Sequence, residues 1–241
     1  SGRNKVVFRF KRFAVRQERS PMKVGTDGVL LGAWTEVYPS DRRILDIGTA
    51  TGLIALMMAQ RAPEAQIVGI DILDIAEARE NAAASSWGLR LTFEQCPAQE
   101  FTAAEPFDLI LSNPPFFVDA LTCPDAGRTT ARHTVTLSYD DLCMSVVRLL
   151  APDGRFAVVL PLAESERWFS VCNGRLRLVR RTDVRTTPRR TPKRVLLEFV
   201  HENAISEPTQ PRYDELTIGT GEHEQYTEAY RTLTGDFYLK F

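Results

Sequence analysis

Cysteine and histidine are scarce in this chain. Its 241 residues include four cysteines, Cys96, Cys123, Cys143 and Cys172, and three histidines, His133, His201 and His223. No pair is spaced C-x-x-C and no cysteine stands near a histidine in a zinc pattern, so neither a metal site nor a disulfide framework is expected. Separate thiols of this kind suit a reduced, cytoplasmic protein. Long apolar runs are missing as well: none approaches the ~20 residues of a membrane span. The basic N-terminus has no apolar core behind it, so no secretory signal is read. Internal repeats are absent, as is any linker long enough to separate a pair of domains.

Hydrophobic residues make up 44% of the chain, enough for a full core without staples. The expectation is one domain over residues 1–241, with a basic hairpin extension in 1–25 and an α/β core in 26–241 that ends in an acidic tail. The formal net charge of −1 hides strong segregation. Arg3, Lys5, Arg9, Lys11, Arg12, Arg16 and Arg19 crowd the N-terminus. Arg180, Arg181, Arg185, Arg189, Arg190, Lys193 and Arg194 form a second basic stretch. Two such stretches meeting in space would make a phosphate-binding surface. Either alone reads first as a solvated face.

Residues 6–16 read as a short hairpin, with Phe8 and Phe10 alternating against Arg9 and Lys11. Phe8, Phe10 and Phe13 are read as core rather than as base-stacking rings. Thr26 or Asp27 is expected to cap a helix through about Val37. Strands are expected at 43–48, 65–71, 89–94, 107–111 and 155–160, and helices at 53–61, 75–86, 137–150 and 163–172. Residues 175–184 and 195–201 read as a closing hairpin, followed by a short strand at 215–218 and a terminal helix at 224–237. This alternation implies a Rossmann-like α/β fold. Its mostly parallel seven-stranded sheet would carry a C-terminal antiparallel hairpin and helices on both faces.

Two strand ends carry the chemistry. The run Phe107-Asp108-Leu109-Ile110-Leu111 is stopped by Ser112-Asn113-Pro114-Pro115-Phe116. Open α/β sheets bind ligands just beyond such carboxyl ends. Asn113 offers an amide, Pro114 and Pro115 rigid carbonyls, and Phe116 an aromatic face. That set suits a planar group bearing an amino nitrogen, such as a nucleobase. The other end is Asp46-Ile47-Gly48-Thr49-Ala50-Thr51-Gly52, where glycine permits a sharp turn and close approach of a ligand. Asp71 closes the next strand, placed to accept hydrogen bonds from both hydroxyls of an adenosine ribose. The nicotinamide fingerprint G-x-G-x-x-G is not met, and Asp46 would repel a pyrophosphate. An acid there favours a cationic ligand such as the ammonium or sulfonium of S-adenosylmethionine.

Together, the glycine turn, Asp71 and Asn113-Pro114-Pro115-Phe116 resemble a class I S-adenosylmethionine-dependent methyltransferase with an N-P-P-[YF] motif. Met22-Lys23-Val24-Gly25-Thr26-Asp27-Gly28-Val29-Leu30-Leu31-Gly32-Ala33-Trp34 resembles, more specifically, the opening of the bacterial valine-tRNA adenine-N6 methyltransferases. So do Ala131-Arg132-His133, Arg194-Val195-Leu196-Leu197-Glu198-Phe199, Tyr226-Thr227-Glu228-Ala229-Tyr230 and Asp236-Phe237-Tyr238-Leu239. The resemblance implies methylation at N6 of the adenine next to the anticodon of a valine tRNA, with catalysis at Asn113, Pro114, Pro115 and Phe116. It implies cofactor contacts from Lys23, Thr26, Asp46, Gly48, Thr49, Gly52, Asp71 and Ile72. RNA contacts fall to Arg9, Lys11, Arg12, Arg132, Arg185, Arg189, Arg190 and Lys193; for Arg132 a structural ion pair is an equal alternative. His133 is read as packed or surface, not catalytic.

Two departures from the family stand out. Ala50 replaces the middle glycine of the loop, a change tolerated if its φ stays negative. Pro97 takes the place of an acid that binds the cofactor's adenine amine, leaving Gln99 as the candidate substitute. Rival readings are guanine-N2 transfer to ribosomal RNA, glutamine-N5 transfer to a protein, DNA adenine methylation, and a non-catalytic RNA-binding relative. No obligatory protein partner is evident.

Overall fold

The computed structural model describes residues 6–115, 137–204 and 210–241. Phe116, Arg132 and His133, singled out above, lie outside the described residues.

The sheet grows from short apolar strands that alternate with helices. In chain order the elements are β1 (Val7–Arg9), β2 (Ala14–Arg16), α1 (Thr26–Trp34), β3 (Arg43–Ile47), α2 (Leu53–Arg61), β4 (Gln66–Asp71), α3 (Ala76–Ala84) and β5 (Leu91–Gln95). Then come β6 (Phe107–Ser112), α4 (Tyr139–Leu149), β7 (Leu150–Pro161), α5 (Ser165–Cys172), β8 (Leu176–Arg185), β9 (Arg194–His201), β10 (Arg212–Thr217) and α6 (Glu228–Thr234). β3 to β10 form one sheet in the order β10-β8-β9-β7-β6-β3-β4-β5. It has eight strands rather than seven, because Arg212–Thr217 adds to the edge in parallel with β8. β9 is antiparallel to both β7 and β8, and the other pairings are parallel. The chain builds outward from β3 through β4 to β5, then crosses back to β6 on the other side. The crevice between the carboxyl ends of β3 and β6 is thus the topological switch point.

Side chains alternate across β3 and divide the core. Ile44 packs with α1, α2, the N-terminal hairpin and Tyr230 of α6 on one face. Leu45 and Ile47 pack with α4 and α5 on the other. α1 is apolar all round and buried from Gly28 to Trp34. It lies close on α2, where a methyl group on Gly32 would come within 2.5 Å of the Met57 sulfur. The helix begins differently from expectation: Gly25 is its N-cap, and neither Thr26 nor Asp27 supplies a side-chain cap. It also stops at Trp34, short of Val37. Arg61 Nη1 takes the terminal carbonyls of Gly32 and Thr35 at 2.7 and 2.6 Å, so the chain turns there at no cost to those groups.

The hairpin β1–β2 pairs antiparallel and lies along α3. Asn81 accepts from Arg16 N at 2.8 Å and donates to Arg16 O at 3.0 Å and Thr51 O at 2.9 Å. One turn back toward the start of α3, buried Glu77 accepts three successive backbone N–H groups. They come from Glu18 at 2.6 Å, Arg19 at 3.0 Å and Ser20 at 2.6 Å. Downstream, Gln17 Oε1 accepts from Val24 N, and Lys23 Nζ donates to the Gln17 carbonyl. Residues 17–24 are therefore a tied strap leading into α1. Hydrogen bonds to a charged acceptor are worth about 1.5–3 kcal/mol each, and a lost acceptor leaves three part-buried donors without their partner. Glu77→Ala is expected to destabilise the protein by about 3 kcal/mol and to speed tryptic cleavage at Arg19 and Lys23. A urea midpoint and a cleavage rate equal to the parent's would remove the strap's anchor.

Candidate active site

The loop after β3 is wound tightly enough to need left-handed backbone at three places. Gly48 and Gly52 have φ of +80° and +85°, and Ala50 between them has φ of +49°. The condition under which the sequence reading tolerates alanine here, a negative φ, is thus not met. The reason lies in the hydrogen bonds. Gly48 N and Thr49 N both donate to Ile70 O at 2.9 and 3.0 Å, and Gly52 N donates to Thr49 O at 2.8 Å. Ala50 N is then turned to Asp71 Oδ2 at 2.8 Å. With left-handed backbone at Ala50, all four donors of this short turn are satisfied.

Asp71 ends β4 with its second oxygen accepting from Leu73 N at 2.9 Å. Each oxygen keeps a lone pair for a ligand. Burial raises its pKa. Asp46 lies beneath the loop, fully buried, with neither oxygen in hydrogen-bond geometry with a partner among the described residues. The Thr49 hydroxyl, also buried, and the Ala55 N–H stand near it and favour its charged form without reaching that geometry. A methyl group on Gly69 would come within 2.5 Å of that hydroxyl, so glycine in β4 makes room for it. Burial pushes the Asp46 carboxyl up to about 7, and the nearby Asp71 charge adds to the rise.

At the facing strand end, Ser112 Oγ donates to Ile47 O at 2.8 Å and ties β6 to β3. This brings Asn113 opposite the loop: a methyl group on Gly48 would lie 4.0 Å from Asn113 O. Two cavities meet here. One of about 250 Å³ is lined mainly by apolar groups, among them Met22, Ile70, Ile72, Cys96 and Leu137, with Asp71 at its wall. The second, about 560 Å³, is lined by Lys23, Thr26, Asp27, Thr49, Asn113 and Arg194, among others. Met22, Gly48, Ala50 and Pro115 line both, so they form one cleft. The strap roofs it through Ser20, Pro21 and Met22.

A family model described as a methyltransferase domain matches residues 39–185. Among curated proteins, the chain is 47% identical to a tRNA1(Val) (adenine(37)-N6)-methyltransferase of Phocaeicola vulgatus over 238 residues, spanning 96% of this chain and 97% of the relative. A protein of the same name from Bacteroides thetaiotaomicron is 43% identical over the same shares of the two chains. The chain belongs to this methyltransferase family. Among solved structures, a predicted O-methyltransferase of Agrobacterium tumefaciens superposes with a TM-score of 0.65 at 15% identity. The match covers 88% of this chain and 96% of that one, a likeness of fold alone.

The cleft of this methyltransferase fits its cofactor, S-adenosylmethionine. The apolar cavity beside Asp71 suits an adenosine. The unmet carboxyl of Asp46 lies beneath the loop, where a cationic group close by would lower the cost of its charge. Of the residues read from the sequence as cofactor contacts, Gly48, Thr49, Asp71, Ile72, Lys23 and Thr26 line the cleft. Asp46 and Gly52 line neither cavity: Asp46 sits below the loop, and Gly52 packs against Ala78 and Phe93 to start α2. Gln99 does not reach the cleft either. Glu100 N and Phe101 N both bond Pro97 O, forming a turn that buries Ala98 and Phe101 and leaves Gln99 exposed. Cys96 and Ala98 stand at that wall instead. Cys96 was findable as the first residue past β5. Asp27 and Arg194 had no local signal beyond the resemblance.

The basic residues divide by direction. The hairpin runs along α3 from Asn81 toward Trp87, so its tip points away from the cleft. There Arg12 lies over the Trp87 ring at 5.3 Å and Lys11 Nζ donates to Gly235 O at 2.5 Å. Arg9, Lys11 and Arg12 line neither cavity. The second stretch lies at the right end. Arg194 pairs with Pro161 at the carboxyl end of β7, and residues 186–193 therefore loop over the same edge as Asn113. Arg189, Arg190 and Lys193 are exposed there. Arg185 is engaged within the fold, with Glu215 at 3.3 Å and the Arg190 carbonyl at 2.7 Å, so it shapes the loop. Thr187 to Arg190 and Thr220 to Glu222 enclose a groove of about 600 Å³.

Left-handed backbone costs a non-glycine residue about 1–2 kcal/mol, partly offset because glycine is freer in the unfolded chain. Ala50→Gly is expected to raise the thermal midpoint by about 2–4 °C, corresponding to about 1 kcal/mol in a chain of this length, with cofactor affinity equal or tighter. A lower midpoint would show that the methyl group makes contacts worth more than the strain.

Proposed function

We propose that this protein transfers the methyl group of S-adenosylmethionine to N6 of adenine 37 in a valine tRNA, in the cytoplasm. The observation that carries the reading is Asn113, held at the switch point beside the cofactor loop in a chain 47% identical to a relative of that name. Bound cofactor supplies an electrophilic methyl group. The chain's task is to present the amine. The lone pair of an aromatic amine is delocalised into its ring, so the free base is a poor nucleophile. Asn113 Oδ1 and the Pro114 carbonyl accept the two amine hydrogens and favour a pyramidal nitrogen. Phe116, outside the described residues, is the proposed stacking face, worth about 1–3 kcal/mol. Positioning and fixed dipoles then carry the rate, and the proton leaves after transfer.

An anticodon-loop base is easier to swing out than a base in a duplex, which suits a cleft of this depth. The exposed Arg189, Arg190 and Lys193 grip the flanking phosphates from the same sheet end. By contrast, the hairpin's basic tip is turned toward Trp87 and Gly235, so it is assigned no role in that grip.

The direct test is incubation with labelled S-adenosylmethionine and total tRNA lacking the modification, followed by nucleoside mass spectrometry. N6-methyladenosine is the expected product, and any other methylated nucleoside overturns the substrate. Asn113→Ala is expected to lower turnover at least about 10²-fold with cofactor binding within about twofold. Near-parental turnover in that variant removes the amine clamp. Reversing charge at Arg189, Arg190 and Lys193 should raise the KM for tRNA and reduce the salt slope by up to about 2. A slope that does not move marks the loop as merely solvated.

A further inference from the structure

The Asn113 amide is the group on which the proposed clamp depends, and no other described residue hydrogen-bonds it. The first turn of α1 lies beside it. A methyl group on Gly28 would stand in ordinary van der Waals contact with Asn113 Nδ2, at 3.8 Å, and would press on Leu53 Cδ2, at 3.0 Å, so the start of α1 runs close beside the amide. That turn has no side-chain cap of its own to fix it. It is fixed from outside: Arg194, the first residue of β9, donates from Nε to Asp27 Oδ2 at 2.8 Å. Both side chains are partly buried, at 33% and 26% exposure, and both line the cavity that holds Asn113.

We infer that Arg194 and Asp27 are positioning residues for methyl transfer: their ion pair pins the start of α1 against Asn113 and so sets the angle of the amide toward the target amine. Ion pairs with one side in solvent contribute little to stability, but a displaced wall beside a reacting group is costly, because an error of about 1 Å in position can lower a rate about 100-fold. The pair is therefore expected to show in turnover more than in folding. The inference rests on the reading of Asn113 as the amine clamp.

A double-mutant cycle on the full chain tests it, with S-adenosylmethionine and unmodified valine tRNA both saturating. Asp27→Asn and Arg194→Gln should each lower kcat about tenfold or more. The double variant should fall no further than the worse single. The swap Asp27→Arg with Arg194→Asp should recover some of the loss. Cofactor Kd and the KM for tRNA should stay within about twofold of the parent. An unchanged kcat in either single variant, or losses that multiply, overturns the pairing. A loss confined to the KM for tRNA also overturns it and makes Arg194 a direct phosphate contact. If Arg194→Gln fails to fold, Arg194→Lys keeps the charge without the planar fork and should still lose kcat. Asn113→Ala run alongside separates the two levels. If it is inactive while the pair has no effect on kcat, the pairing alone fails. If it is fully active, the clamp fails and the pairing with it.

Discussion

The pairing of β3 with β6 is the constraint on which the site depends. Ile47 lies opposite Ser112 in the parallel register, and Ser112 Oγ bonds the Ile47 carbonyl. A one-residue slip would turn every side chain of β6 to the wrong face of the sheet and take Asn113 away from the glycine loop. The register is protected because both strands are buried on both faces. Ile44, Leu109 and Leu111 pack on one side, while Leu45, Ile47 and Ile110 pack on the other. The same apolar runs that make the strands thus set the distance between the two halves of the chemistry. Prolines at 114 and 115 then end the pairing just where the backbone must turn to the ligand.

The cofactor end is built at some cost to the fold. Two acids, Asp46 and Asp71, lie close under one loop in largely apolar surroundings, and for Asp46 the nearby Thr49 hydroxyl and Ala55 N–H fall short of hydrogen-bond geometry. A carboxyl whose folded pKa is raised binds a proton more tightly in the native state than in the unfolded chain. The stability it contributes is complete below about pH 4 and is lost as pH rises through about 7. Near neutrality Asp46 is therefore poised between its two forms. A cation placed near the loop shifts it toward the charged form and turns an unfavourable burial into an attraction. Left-handed Ala50 adds strain to the same few residues. Strain and unmet polarity concentrated at one turn are what a ligand site demands and a plain strand–turn–helix does not.

Local chemistry was legible in the sequence, and direction was not. Gly48, Asp71 and Asn113 could be placed because a strand end is a local event with a local signature. Arg9, Lys11 and Arg12 could not, because a run of like charges does not say which way its hairpin points; Asn81, Glu77 and Trp87 decide that from far along the chain. Gln99 failed for a related reason. The turn at Pro97 rotates alternate side chains inward, and the apolar Ala98 and Phe101 win the inner positions. Asp27 looked like a helix cap because caps are read from the residue type at a helix start. A guanidinium from β9 outcompetes the local N–H groups for its carboxylate. Even the eighth strand follows this pattern. Residues 215–218 showed a short apolar signal, but the full length of β10 comes from pairing Arg212–Thr217 with β8.

The antiparallel edge explains why the exposed positive charge at the Asn113 end of the sheet sits late in the chain. In a purely parallel sheet the link from one strand to the next begins at a carboxyl end but must return to the amino end. A reversed strand changes this: β8 and β9 are joined by a short loop, and that loop lies wholly at the carboxyl end. β10, parallel to β8, brings Thr220 to Glu222 to the same place, where Gly219 N bonds Thr186 O. Arg185 is consumed in bracing this edge through Glu215 and the Arg190 carbonyl. That bracing leaves the next cations on a framed loop rather than a free one, and a charged group held in place loses less freedom when it meets a phosphate. The reversal of a single strand thus converts a stretch of basic residues into a surface that shares an edge with Asn113.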